Sequence, residues 1–417
     1  MASRWSIERN NTGLAWDCNE HPEDHTDFIE MSGLYSSAVI TYGIKEGKLF
    51  LHRHLVFPML RIFPNNTHGS LQCDVPEELV PVIRADGKPV REDVECVELC
   101  DGTITVYGRY ESFMVIRRLY PSPDHAAFCE TVTLVNDGNA AMKVETFDKS
   151  PTEIYRVRGP HGINIVERSM AWEAPENGVV EADGHAVLSV CYTARLAHEP
   201  TLTVDVGEEW QARANRVNAL TTPLTLTTES PTLDTMFHFA KLRAGESIFR
   251  TRNGDVHSPG GTSYYAAVWC NDQAEYAGPW QAWTGDELQL NAAYNAYAWY
   301  YPHMDDRYEP IPSSIIAEGL DYWNGAGDRG DAAMYLFGAT RYALVSGRLG
   351  EGNALWRAIQ WCAAYNLRKM DNPIHRGLIP SDSDELEGRL PAGQINLSTN
   401  MLALGGFRTA AALADEM

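Results

Sequence analysis

Between residues 268 and 290 the stretch VWCNDQAEYAGPWQAWTGDELQL interleaves Asp272, Glu275 and Asp286 with Trp269, Tyr276, Trp280 and Trp283. Carboxyls and flat rings at this density suit the hydrolysis of glycosides. That reaction needs a carboxylic acid to protonate the departing oxygen and, in inverting enzymes, a second carboxylate about 6.5–9.5 Å away to activate water. Aromatic neighbours stack on the apolar faces of sugars, and they desolvate the acid so that its pKa rises toward neutrality. Glu275 is the expected proton donor, because Tyr276, Trp280 and Trp283 follow it closely. Asp272, with Trp269 nearby, is the rival donor and otherwise a ligand for sugar hydroxyls. Trp269, Trp280, Trp283 and Asp286 are expected against the substrate. Asp286 also suits a first-turn carboxylate facing a helix dipole, since it follows Gly285 where a helical pattern begins. The plain alternative for the whole stretch is a packed corner with capped helix ends.

Two further acidic loops are candidates. SSIIAEGLDYWNGAGDRGD, at 313–331, brings Glu318, Asp321 and Trp323 before an apolar helix, where the wall of a pocket would lie; a solvated turn with Asp328 and Asp331 capping that helix is the bland reading. PSDSDELEGRL, at 380–390, holds Asp382, Asp384 and Glu385 and reads first as an exposed charge run. It lacks the spaced glycine and terminal glutamate of a calcium loop.

The elements that must carry these loops follow from hydrophobic period. From about 30 to 206 the segments are short, β-branched and aromatic, and punctuated by turn residues: SAVITYGI, KLFLHRHLVFPMLRIF, TITVYGRYESFMVIRRLY, FCETVTLVNDG, VLSVCYTARL and TLTVDV. Such spacing predicts an antiparallel β-sandwich over residues 1–206. After a linker at 207–228 the period becomes helical. Ser230 and Pro231 open a first helix, and four more follow near 286–301, 329–347, 352–369 and 396–416. LQLNAAYNAYAWYY and DAAMYLFGATRYALV are apolar nearly all round, as for helices enclosed by others, whereas ALWRAIQWCAAYNLRKM is amphipathic. Inner helices wrapped by outer ones would give this alternation, so residues 229–417 read as part of an α/α toroid.

Composition removes several classes. The 417 residues carry 34 basic and 56 acidic side chains, a net charge of −22, which repels phosphate backbones and anionic membrane surfaces. Nucleic acid and membrane are thus not expected partners. No apolar run reaches the roughly 18 residues a membrane helix needs, and the N-terminus lacks the apolar core of a secretion signal, so a cytoplasmic location is expected. The eight cysteines are widely spread and read as buried free thiols. Cys96 and Cys100 have no second pair at zinc-finger spacing, and no nucleotide-binding fingerprint occurs, so neither metal nor cofactor is expected.

A β-sandwich followed by helical hairpins, with WCNDQAEYAGPWQAWTGD entering one inner helix and GDRGDAAMYLFGATRYALVSGR on the next, resembles the six-hairpin glycosidases. In arrangement it is most similar to the α-L-rhamnosidase family, whose acidic cluster runs into Trp-x-Gly-Asp, matched here by Trp283, Gly285 and Asp286, and whose Gly-Asp-Ala-Ala helix is matched at 330–333. In that family an arginine precedes the catalytic glutamate; here Asp272 and Gln273 stand nearby and AGPWQA lengthens the gap, so rhamnose does not follow as the substrate. The resemblance implies an inverting, exo-acting glycosidase with a carbohydrate as its partner. A complete toroid of that type has twelve helices against the five counted, so the sequence is expected to be a truncated toroid with its general base on a later hairpin, past Met417. Two other classes remain: a phosphorolytic or eliminative sugar enzyme, for whose phosphate or uronate site His257, Arg252 and Arg307 are the local candidates, and a non-catalytic carbohydrate-binding protein.

Overall fold

Strands with small or β-branched residues alternating in and out dominate the first half of the chain. The computed structural model describes residues 4–64, 66–147, 150–258, 266–316, 319, 321–385 and 393–417. A nine-stranded antiparallel sheet runs from edge to edge through Trp5–Glu8, Gly13–Asp17, Asp93–Cys100, Thr103–Tyr110, Phe113–Pro121, Ala127–Asn136, His185–Leu196, Gly162–Glu173 and Thr152–Gly159. A four-stranded meander joins His25–Ser32, Ser37–Lys45, Lys48–Arg61 and Ser70–Asp74. One face of each strand is apolar, as the two-residue period of a strand requires. In Ala127–Asn136, for example, Val132 and Leu134 are buried while Thr131 and Thr133 point the other way. The two sheets share one core, in which Ile40, Leu55 and Leu71 of the meander lie in the same cluster as Val97, Val115 and Leu188 of the larger sheet. A large antiparallel β part followed by helices is therefore the observed order.

Two expectations for the middle of the chain need correction. TLTVDV forms no strand; residues 201–205 run without regular structure into a helix, Val206–Thr221, inside the stretch expected to be linker. Asp205 caps this helix, its carboxylate accepting from the backbone N–H of Glu208. At its far end Lys241, on the following helix Pro231–Glu246, donates to the carbonyls of Thr221, Pro223 and Leu224 and so satisfies acceptors that a helix end leaves open. Arg213 is buried and donates to the carbonyls of Gly102 and Ser32 as well as to the carboxylate of Glu246. Both helices thus belong to the β unit. The chain divides into two compact units between Glu246 and Ser247, later than the boundary near residue 228 that the change of period suggested.

The second unit holds the remaining long helices, Glu287–Ala298, Asp331–Ser346, Leu349–Met370 and Leu397–Glu416, close to their expected positions. Asp331–Ser346 is the most enclosed, with buried residues on every side from Ala332 to Ala343, and it packs against both helices that follow. Gly330 starts it in a left-handed conformation, φ 87°, and a Cβ there would stand 2.3 Å from Oγ1 of Thr399.

Candidate active site

Trp269 ends a short strand, Ala267–Trp269, which pairs antiparallel with Ser314–Ile316, and that strand pairs with Asp321–Trp323. The register sets Trp269, Ser314 and Trp323 in one row, so two of the expected substrate-binding tryptophans meet with ring centroids 5.6 Å apart at 52°. Strand order thereby joins residues more than fifty positions apart in the chain.

Directly after Trp269 the backbone turns helical as Cys270–Asp272, a π turn over Gln273–Ala277, and Gly278–Trp283. A π turn inside a helix is rare, frees a backbone carbonyl from its usual partner, and recurs at functional sites. Here the hydroxyl of Tyr297 donates to the carbonyl of Gln273 at 3.0 Å. Gly278 leaves room for that hydroxyl, which would lie 2.4 Å from any added Cβ.

The wide turn carries the carboxylates. The Tyr276 hydroxyl donates to the Asp272 carboxylate. The Tyr276 ring in turn meets His257 edge-on at 5.5 Å. Glu275 reaches the surface, yet the protein mass around it lifts its carboxyl above the usual carboxylate range, reinforced by repulsion from Glu385 and then Asp272 and opposed by Arg329. Three acids therefore share one local field. Glu385 accepts a hydrogen bond from the Ser398 hydroxyl at 2.9 Å, which ties the acidic loop to the start of helix Leu397–Glu416. Residues 386–392 of that loop lie outside the described residues.

A buried ion pair stands behind the turn. Arg329 and Asp331 are 2.7 Å apart and both are enclosed. Arg329 also donates to Oδ1 of Asn271 at 3.3 Å and to the Ser313 carbonyl at 3.4 Å, and its guanidinium lies 5.8 Å from the centre of the Trp269 ring. It therefore braces both ends of the segment that presents Trp269 and Asp272. Burial raises the Asp331 carboxyl, against the pull of Arg329. Asp328 accepts from the Gly330 N–H, the Tyr365 hydroxyl and Lys369, so Asp328 and Asp331, which flank Gly330, both serve the architecture.

The other expected site residues fare differently. Trp280 is half-buried, whereas Trp283 is 62% exposed at the end of its helix. Gly285, with φ 69°, makes the turn that sets Asp286 as the cap of helix Glu287–Ala298, where its carboxylate accepts from the Gln289 N–H at 3.3 Å. Asp321 lies on the strand that carries Trp323, and its own carboxylate accepts from the Tyr322 N–H at 2.8 Å. Glu318 lies outside the described residues. Among the cations a phosphate would need, His257 is buried and held neutral, its pKa pushed down to about 4 by burial, and Arg307 is paired with Asp305.

No family model matches the chain, and no curated protein sequence matches it. By structure it is similar to a bacterial glucoamylase solved in complex with acarbose, at 9% identity and a TM-score of 0.45, over 94% of this chain and 66% of that one. It is also similar to a GH92-family α-mannosidase from Bacteroides thetaiotaomicron, at 9% identity and a TM-score of 0.28, over 87% of this chain and 70% of that one. A further GH92-family glycosyl hydrolase matches at 10% identity and a TM-score of 0.26. The chain thus spans just under two thirds of the length of the glucoamylase.

Glu385, Arg329 and Asn271 are the residues that sequence reasoning underrated. Glu385 looked like part of a solvated run, and only the return of its loop places it within the field of Glu275. Arg329 sits two residues before Asp331, a spacing that offered a hint of pairing.

Proposed function

We propose that the chain is a glycoside hydrolase that removes a terminal sugar with inversion, with Glu275 as the proton donor. The observation that carries this reading is the shared electrostatic field of Glu275, Glu385 and Asp272, on a turn that begins directly after Trp269, whose ring meets that of Trp323. A proton donor must hold its proton near neutral pH and give it up to a leaving oxygen, and the surroundings of Glu275 push it that way. Asp272, fixed by the Tyr276 hydroxyl, suits a ligand for sugar hydroxyls better than a group that must change its protonation at every turnover. Glu385 is the carboxylate within reach of that field that can serve as the base for water. Trp323, which is half-buried, supplies an apolar wall for a pyranose face with the buried Trp269 packed behind it, and Arg329 acts as a positioning residue that holds Asn271 and the strand row in place.

The test is a pair of substrates. Glu275→Gln is expected to lower turnover of unactivated glycosides by about 10²–10⁴-fold, the usual contribution of general acid catalysis. Activity on dinitrophenyl glycosides, whose leaving group needs no proton, is expected to survive. If Glu275→Gln stays within about tenfold on natural glycosides while Asp272→Asn abolishes turnover, the donor is Asp272.

A further inference from the structure

The outer face of the nine-stranded sheet carries a groove of about 480 Å³ that belongs to the first unit and has no part in the chemistry above. Its floor follows from strand register. Tyr120, Cys129, Cys191 and Ser169 form one row across four strands, and Arg118, Thr131, Ser189 and Ala171 form the next. Ser169, Ala171, Thr131 and Ser189 are small, and between the larger Tyr120 and Arg118 they leave a depression. The wall is residues 203–207 and Trp210, fastened by the Tyr120 hydroxyl, which donates to the Val206 carbonyl at 2.7 Å. The volume falls within the ~300–1,000 Å³ common for small-molecule sites.

Three features give the groove a chemistry. The hydroxyls of Thr131, Thr133, Ser169 and Ser189 line it, and none of the four is hydrogen-bonded to another described residue. Arg118 has no acidic partner among the described residues, and its guanidinium lies over the Trp210 ring at 4.5 Å. Every strand of the floor is paired on both sides, so no backbone edge is open to an added peptide strand, and recognition must come from side chains. Arg118 shares the lining with Glu173 and Asp205, within a chain of net charge −22, which disfavours a polyanion. Hydroxyls without protein partners among the described residues, and a guanidinium that stacks on Trp210 and keeps its N–H donors free of any described carboxylate, suit a neutral, polyhydroxylated ligand.

We propose that this groove binds a neutral oligosaccharide as an accessory site. The proposal does not depend on the second unit being a hydrolase, because its readout is binding. Maltohexaose, mannohexaose and xylohexaose would be titrated into the full chain by calorimetry, with Glu275→Gln in the background to prevent turnover. Ser189→Leu fills the middle of the floor, beside Thr131 and Ala171. At least one of the three sugars is expected to bind, and its affinity to fall by about tenfold or more in Ser189→Leu. In the chain with Glu275 intact, Ser189→Leu is expected to leave turnover of a small aryl glycoside unchanged. Should the leucine prevent folding, Ser189→Ala combined with Arg118→Gln carries the same expectation. Binding of none of the three sugars, or equal affinity in the folded groove variant and its parent, overturns the proposal. Absence of turnover in the chain with Glu275 intact, alongside sugar binding that Ser189→Leu weakens, would count against the hydrolase reading alone.

Discussion

His257 offers a quantitative check on the surroundings of the candidate site. It closes the hairpin formed by Ile248–Thr251 and Gly254–His257, is almost wholly buried, and lies edge-on to Tyr276, the residue that holds Asp272. Burial lowers its pKa from 6.5 to about 4. Between those values the unfolded chain binds a proton that the folded chain refuses, so stability rises with pH in that window. The contribution is fully present above about pH 6.5 and is lost as pH falls toward 4. At ~1.36 kcal/mol per pH unit the whole window is worth about 3 kcal/mol. His257→Phe keeps a ring against Tyr276 and removes the titration. Carboxylates elsewhere contribute nearly equally to both proteins, so the difference between their stability curves isolates His257. Seven of the eleven tryptophans follow Ser247, so fluorescence during urea unfolding reports mainly on the unit that contains His257. Relative to wild type, His257→Phe should gain about 3 kcal/mol on going from pH 7 to pH 4. Parallel curves for the two proteins, or a His257 signal, assigned by its loss in His257→Phe, that titrates near 6.5 in the folded chain, would refute the reasoning.

Two substitutions test the architecture around the turn. Asp331→Asn leaves Arg329 buried without its countercharge and should cost about 3–5 kcal/mol in urea unfolding, while Arg329→Met with Asp331→Leu should recover most of that loss. Asp286→Ala removes a helix cap and should cost about 1 kcal/mol of stability, and a tenfold or greater effect on sugar binding without that loss would restore Asp286 as a ligand.

Local rules explain what was legible in the sequence. The helix starts at Pro231, Glu287, Asp331 and Leu397 carry a proline, an aspartate cap, a left-handed glycine and an asparagine cap, all readable one residue at a time. Val206–Thr221 was missed because the side chains on its buried face include Glu209 and Arg213, which break the apolar stripe that marks a helix. TLTVDV has the composition of a strand, but Asp205 is needed as a cap and Val204 and Val206 pack onto Tyr120, so tertiary context overrode propensity. At the site, Asp272 and Glu275 were visible because aromatics flank them in sequence. Glu385 lies 110 residues further on, and its influence on Glu275 depends on the return of the chain, which no local pattern encodes. The capping role of Asp286 was one of two readings of the same Gly-Asp pair, and only the hydrogen bond to the Gln289 N–H distinguishes them.

The most direct measurement is proton NMR of the chain acting on a panel of unmodified glycosides in phosphate-free buffer, recorded early enough to see the first anomer released. The account predicts free reducing sugar of inverted configuration, appearing without phosphate and lost in Glu275→Gln. Release of a sugar phosphate only after phosphate is added, an unsaturated product, or no release from any glycoside bound by the chain would contradict it.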